Sequence, residues 1–278
     1  MVKYYVTLAL FWIGLQMNAQ SLEFDGIDDI VEVRALGWTD DIELPFTMEF
    51  IFQSQSSSSA QVLLYQEDST GMKFIVGLNS IDNSPFVQYG DEYFSPEEIN
   101  GIDLFGCVHL TLVFTPLANS LDWYINGIHS GTSILPVPTP FFTGLSYYLG
   151  SDPQLQAGAF LGRIEEYRVI GKAFSINEIN QWLFTKFPKT HADKFSLFPF
   201  DDNNKYNVTT DPSSFIGVGY LGFAQVVPNR IPNWSIEECM IEFIPEAVDP
   251  NNMGPLVCTP PPPNQSVCNG DFEQNRGN

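Results

Sequence analysis

The chain has 278 residues, and its 33 acidic side chains against 12 basic ones give a formal charge of −21. So negative a chain is repelled by nucleic-acid phosphates, which removes DNA and RNA as partners. The same carboxylates suit a calcium-rich exterior, or simply keep an exported protein in solution.

The first element is a leader. Lys3 precedes the apolar run YYVTLALFWIGL and the polar stretch QMNAQ, the order of a secretory signal peptide, with cleavage expected after Ala19 or Gln20. The run is too short to span a bilayer, and no later segment is long and apolar enough, so no membrane span is expected. Residues 1–20 are therefore set apart as a signal peptide, and the mature chain is expected outside the cell or at its surface.

EFDGIDD follows, from Glu23 to Asp29, with four carboxylates around Gly26. After it, period-two patterns dominate. FTMEFIFQ puts Phe46, Met48, Phe50 and Phe52 on one face, with Thr47, Glu49 and Gln53 on the other. CVHLTLVFT alternates Val108, Leu110, Leu112 and Phe114 with His109 and Thr111. LDWYING puts Leu121, Trp123 and Ile125 on one face, and Asn126-Gly127 supplies the two φ > 0 residues of a type I′ hairpin turn. IVEVR, QVLLYQ, MKFIVGL, FVQY, LSYYLG and RIEEYRVI are further strands. Many short strands at close spacing predict an all-β, antiparallel two-sheet sandwich or jelly roll.

One helix is expected. Ser175 and Glu178 form a capping box in SINEINQWL, and Ile176, Ile179 and Leu183 make one apolar stripe. It is expected to cover an end or edge of the sandwich. Residues 186–257 are rich in Gly, Pro, Asn and Asp and form an irregular β-rich extension of the first domain or a small, irregular second one. Residues 258–268, CTPPPPNQSVC, are a proline-rich linker in an extended conformation. Residues 269–278, with NGDFE, open like a further sandwich module, so the chain is expected to belong to a longer, multidomain polypeptide.

Four cysteines can oxidise in an exported protein. Cys107 sits alone in an apolar strand and is expected as a buried thiol. Cys239, Cys258 and Cys268 cluster late; a Cys239–Cys258 disulfide is favoured, although spacing does not fix the pairing.

Three pieces in order, LEFDGIDDIVEV, LDWYINGIHSGT and LGRIEEYRVIGKAFSINEI, resemble the laminin-G-like, concanavalin A-like jelly-roll family of secreted bacterial proteins. They cover about residues 22–185, so 21–185 is taken as that domain. The NAQ leader ending and VCNGDFEQ are similar in style to exported proteins of Bacteroidota. The resemblance implies first and last strands close together, and commonly a non-catalytic module that binds a glycan or a cell-surface polymer, often with structural calcium. The family's usual closing-strand aspartate is Glu165 here.

The acidic stretch thus has three readings. As a calcium site it uses Asp25, the carbonyls around Gly26, Asp28 and, if first and last strands pair, Glu165, because calcium takes six to eight oxygens. As a turn, Asp28 and Asp29 only shape the backbone. As a glycosidase, Glu23 and Asp25 share a strand face and form part of E-x-D-x-x-D. Gly26 breaks the strand before a third acid joins that face, and the stretch lies at the mature N-terminus, so no catalytic residue is assigned. A non-catalytic binding module is the expected function, with a structural spacer or a glycan-cleaving hydrolase as the alternatives. Tyr65, Tyr89, Tyr93, Tyr124, Tyr147 and Tyr148 are the rings available to stack on sugars or to pack in the sandwich.

Overall fold

A computed structural model describes residues 21–34, 44–99, 103–136, 146–155, 158–201, 208–210, 218–221, 230–235 and 239. The chain divides into two units, Met1–Ile241 and Glu242–Asn278, and every described residue lies in the first. The leader, Cys258, Cys268, the proline-rich linker and the last module start lie outside the described residues.

The elements begin with β1 (Ser21–Asp25), β2 (Val31–Val33), β3 (Phe46–Ser54), β4 (Gln61–Glu67), β5 (Lys73–Leu78), β6 (Pro85–Tyr89) and β7 (Glu92–Phe94). Next come β8 (Cys107–Thr115), β9 (Ser120–Ile125), β10 (Ile128–Ile134), β11 (Tyr147–Leu149), β12 (Leu161–Ile170) and the helix α1 (Ile176–Gln181). The extension adds β13 (Lys194–Phe198), β14 (Val208–Thr210), β15 (Val218–Leu221) and β16 (Asn233–Ser235).

They form two antiparallel eight-stranded sheets. The first runs β10-β9-β8-β3-β12-β1-β16, with β13 also paired to β12, and the second runs β14-β15-β2-β11-β4-β5-β6-β7. First and last strands of the predicted domain do pair, Leu22 with Ile164 and Asp25 with Leu161. The strands β13 to β16, drawn from the extension, enlarge the same two sheets.

Alternation decides which side chains meet between the sheets. Phe46, Met48, Phe50 and Phe52 of β3, Leu110, Leu112 and Phe114 of β8, and Trp123 of β9 are buried there against Phe74, Val76 and Tyr147 of the second sheet. Phe46 stacks on Phe114 at 4.4 Å between centroids. Each such ring contributes about 1.5–3 kcal/mol through burial. At the β9–β10 turn Asn126 (φ 52°) and Gly127 (φ 76°) adopt the left-handed conformations that Asn-Gly predicts.

β12 cannot be read as one clean alternation, because Ile164, Tyr167 and Val169 all face the core. A bulge between Ile164 and Glu166 resolves this. The extra residue, Glu165, resets the strand's parity and turns Glu166 and Arg168 to the outer face.

Three expectations are corrected. The helix does not cover an end or edge: Ile179 and Trp182 pack with Val113, Ile170, Phe174, Phe187 and Leu197 in a second apolar cluster on the outer face of the first sheet. Its capping box forms as predicted, with Ser175 accepting from Glu178 N and Glu178 accepting from Ser175 N. Cys107 is not a thiol, and Cys239 does not pair with Cys258. Cys107 and Cys239 form the disulfide, their Cα atoms 5.6 Å apart. The physical reason is that β16 pairs with β1 in the first sheet and the Cys239 amide donates to Glu165 of β12, which brings Cys239 to the sheet in which Cys107 begins β8.

Candidate functional site

Three places carry chemistry. The first is the acidic turn between the sheets. Asp25 ends β1, and Gly26 turns the chain at φ 76°; a Cβ there would lie 2.8 Å from the Leu161 Cβ, so both conformation and space require glycine. Asp25 Oδ1 accepts from Ile27 N at 2.8 Å and Asp28 N at 3.4 Å, while Asp29 Oδ2 accepts from Asp25 N at 2.8 Å. Asp25, Asp28 and Asp29 each offer an oxygen within 4.8 Å of the others. Burial, aided by the neighbouring charges of Asp25 and Asp28, pushes the Asp29 carboxyl up to about 6.

The expected ligand quartet does not assemble. Asp25, Gly26 and Asp28 are together and Asp29 joins them, but Glu165 is elsewhere. It occupies the β12 bulge, four residues beyond Leu161, the partner of Asp25. At about 3.3 Å per residue that is roughly 13 Å along the strand. Its carboxylate is fully buried, accepts from Cys239 N and lies 4.0 Å from Arg163 Nε. In its place Arg230 reaches the turn, donating from Nε to Asp28 O at 3.1 Å and from Nη1 to Pro153 O at 3.3 Å. Nothing in the sequence pattern pointed to Arg230, which lies about 200 residues away in the irregular extension. Of the two acids in the hydrolase reading, Glu23 is exposed and Asp25 is engaged in the turn.

The second place is a charged cluster on the outer face of the first sheet, sealed beneath α1 and residues 182–187. Arg168 donates from Nε to Glu49 Oε2 at 2.5 Å and from Nη1 to Glu166 Oε1 at 2.6 Å. It also donates to Trp182 O at 3.0 Å and Thr185 O at 3.2 Å. Phe184 N donates to His109 Nδ1 at 3.3 Å, so the ring's proton sits on Nε2 and points at Glu49 Oε1, 3.0 Å away. Thr111 donates to the same oxygen at 2.8 Å.

One guanidinium faces two carboxylates away from water. Glu49, although burial opposes its charge, is held down at about 2 by Arg168 and His109. Glu166 is pushed up to about 7 by burial, against the pull of Arg168. Burial holds the His109 imidazole below its ordinary value. Glu49, His109, Glu166 and Arg168 are each at most 1% exposed, so no substrate reaches this pair of acids.

The third place is the outer face of the second sheet. Strand register aligns Tyr220, Glu32, Tyr148, Tyr65, Ile75, Gln88 and Tyr93 in one row across seven strands. Six interstrand steps of about 4.8 Å make it roughly 29 Å long. The middle is buried: Tyr65 and Ile75, each 3% exposed, pack with Val62 and Phe86, and the Tyr65 hydroxyl donates to Glu67. The flanks are more open, with Tyr93 66% exposed and Tyr148 and Tyr220 half-buried. Lys73 Nζ lies 6.0 Å from the Tyr65 ring, and the Arg34 guanidinium sits 4.7 Å over Tyr220. Of the six tyrosines considered from sequence, Tyr65, Tyr93 and Tyr148 share this row. Tyr147 is buried between the sheets with its hydroxyl 3.2 Å from Ser196 Oγ. Tyr124 lies on the first sheet, 5.0 Å from the His129 ring, and Tyr89 ends β6 half-buried.

The family model Laminin_G_3, described as "Concanavalin A-like lectin/glucanases superfamily", matches residues 25–180. No curated protein matches the chain. Among solved structures, a candidate carbohydrate binding protein from Bacteroides ovatus ATCC 8483 aligns with TM-score 0.56 at 14% identity, over 74% of this chain and 58% of its own. A heptameric SAP-like pentraxin from Limulus polyphemus aligns with TM-score 0.46 at 13% identity, over 76% of this chain and 100% of its own. The CBM40 of a Ruminococcus gnavus IT-sialidase aligns with TM-score 0.43 at 14% identity, over 60% of this chain and 99% of its own. At these identities the likeness is one of fold.

Proposed function

The chain belongs to the concanavalin A-like lectin/glucanases superfamily, and on that premise we propose that it is an exported, non-catalytic module that binds a glycan chain across the tyrosine row of its second sheet. The observation that carries this reading is the row itself. Register places the half-buried Tyr220 and Tyr148 and the exposed Tyr93 on one face, with Gln88 beside Tyr93 and the buried Glu32, Tyr65 and Ile75 as the packed floor between them. Aromatic faces cover the apolar faces of sugar rings, while carboxylate and amide groups bond hydroxyls. Strands hold these groups in place, so little order is lost on binding. The formal charge of −21 disfavours polyanions and points to an uncharged glycan. The Cys107–Cys239 disulfide supports an oxidising location outside the cytosol, in line with the leader.

The test is affinity electrophoresis of the full chain in gels carrying neutral polysaccharides. Retardation is expected in at least one, and Tyr93→Ala and Tyr148→Ala should each weaken it about tenfold, the equivalent of one stacked ring. Migration unaffected by every polysaccharide would favour a spacer. Release of reducing sugar would favour a hydrolase.

A further inference from the structure

The family's resemblance brings calcium to the acidic turn, so the residues present must be tested against that ion. Calcium takes six to eight oxygens at 2.3–2.6 Å. The turn offers three carboxylates, and much of their capacity is engaged. Asp25 Oδ1 serves two amides, and Asp29 Oδ2 serves a third. The Asp28 carbonyl accepts from Arg230 Nε at 3.1 Å, and the same nitrogen stands 3.6 Å from Asp28 Oδ2. Glu165, the acid expected to complete the set, belongs to the bulge farther along β12. A dication here would meet a guanidinium at close range with half a shell of oxygens. The fit is poor.

We infer that the resident cation of this turn is Arg230, an internal replacement for a metal. Its side chain is only 11% exposed. Its own carbonyl accepts from Ile30 N at 3.1 Å, just past the turn, so backbone and side chain together hold the C-terminal end of the loop. Nη1 ties the loop to Pro153 O, beyond β11 of the second sheet. Immediately after Arg230, Ile231 and Trp234 pack against the core and β16 pairs with β1. The chain is stapled at Cys239. The acids lie within residues 25–180, which match the family, and the cation lies beyond them. The added segment thus supplies the charge that the acidic turn requires, and it holds that charge by backbone pairing and a covalent bond instead of by ion concentration. The inference stands whether or not the tyrosine row binds a glycan.

The experiment is thermal melting of the full chain, oxidised, in EDTA and at about 5 mM calcium, above the affinity range of weak extracellular sites. The wild type is expected to melt within about 1 °C in the two buffers. In EDTA, Arg230→Gln should lower the melt by about 5 °C. The double variant with Asp28→Asn should lose clearly less than the sum of the single losses, because the two groups interact. A calcium-dependent rise of the wild-type melt, or strictly additive losses, would overturn the inference. Should Arg230→Gln fail to fold, the wild-type comparison in EDTA and calcium decides alone, and a calcium-dependent rise of the Asp28→Asn melt would also overturn the inference.

Discussion

Glu166→Gln isolates the proton balance of the sealed cluster. Glu166 is 1% exposed, its Oε1 accepts from Arg168 Nη1 at 2.6 Å and Phe187 N at 3.3 Å, and its Oε2 has no hydrogen-bond partner among the described residues. Glu49 receives three donors, so it holds its charge more readily and the proton goes to Glu166. With an unfolded value of 4.5 and a folded value of about 7, folding favours the protonated form. The contribution is fully present below pH 4.5 and is lost as pH rises through about 7. The difference corresponds to roughly 3 kcal/mol. Glu49 has the opposite sign: lowered from 4.5 to about 2, it stabilises above 4.5 and that stability is lost as pH falls toward 2. Gln keeps the Oε1 acceptor and removes the titration. Urea unfolding of both proteins between pH 4.5 and 8 is the assay. The free-energy gap between wild type and variant should shift by about 3 kcal/mol in the variant's favour as pH rises. Asp29, raised to about 6, acts in the same sense in both proteins and cancels in the difference. Parallel pH profiles would refute a protonated Glu166.

Two further outcomes follow from the packing. Reducing the Cys107–Cys239 bond, which spans 132 residues, should lower unfolding free energy by up to about 5 kcal/mol on the chain-entropy account; equal urea midpoints with and without reductant would contradict that. Arg168→Met should cost about 3–5 kcal/mol, because Glu49 and Glu166 lose their shared cation while buried, and the loss should shrink in acid as both carboxylates take up protons. Circular dichroism melts at pH 4 and pH 8 read the difference.

Much of the sandwich is legible in the chain because period-two alternation is a direct physical signal. FTMEFIFQ, CVHLTLVFT and LDWYING all place the predicted residues in the core, and Asn126-Gly127 makes the predicted turn. The same pattern misleads about the opposite face. Thr47, Glu49, His109 and Thr111 alternate as a solvent face would, yet all are buried. Alternation reports which residues share a face, not what lies over it, and here α1 lies over it. The acidic turn was legible through Gly26 and its aspartates. Arg230 and the Cys107–Cys239 pair were not, because each joins segments more than 130 residues apart and no local pattern encodes such a meeting. The tyrosine row was partly legible: its rings could be named, but their alignment depends on strand order and on bulges such as that between Val62 and Leu64.

The two outer faces have different fates, and the buried charges explain why. Residues 182–187 cross the first sheet as a turn with one bridge residue, Thr185, so much of their backbone needs partners outside a regular strand ladder. Arg168 takes the Trp182 and Thr185 carbonyls, His109 takes the Phe184 amide, and Glu166 takes the Phe187 amide. Apolar side chains at these positions would remove these bonds, at about 1–3 kcal/mol for each backbone group left unsatisfied. The bulge at Glu165 belongs to the same arrangement, since without its change of parity Glu166 and Arg168 would point into the core. The outer face of the first sheet is thereby committed to holding its cover.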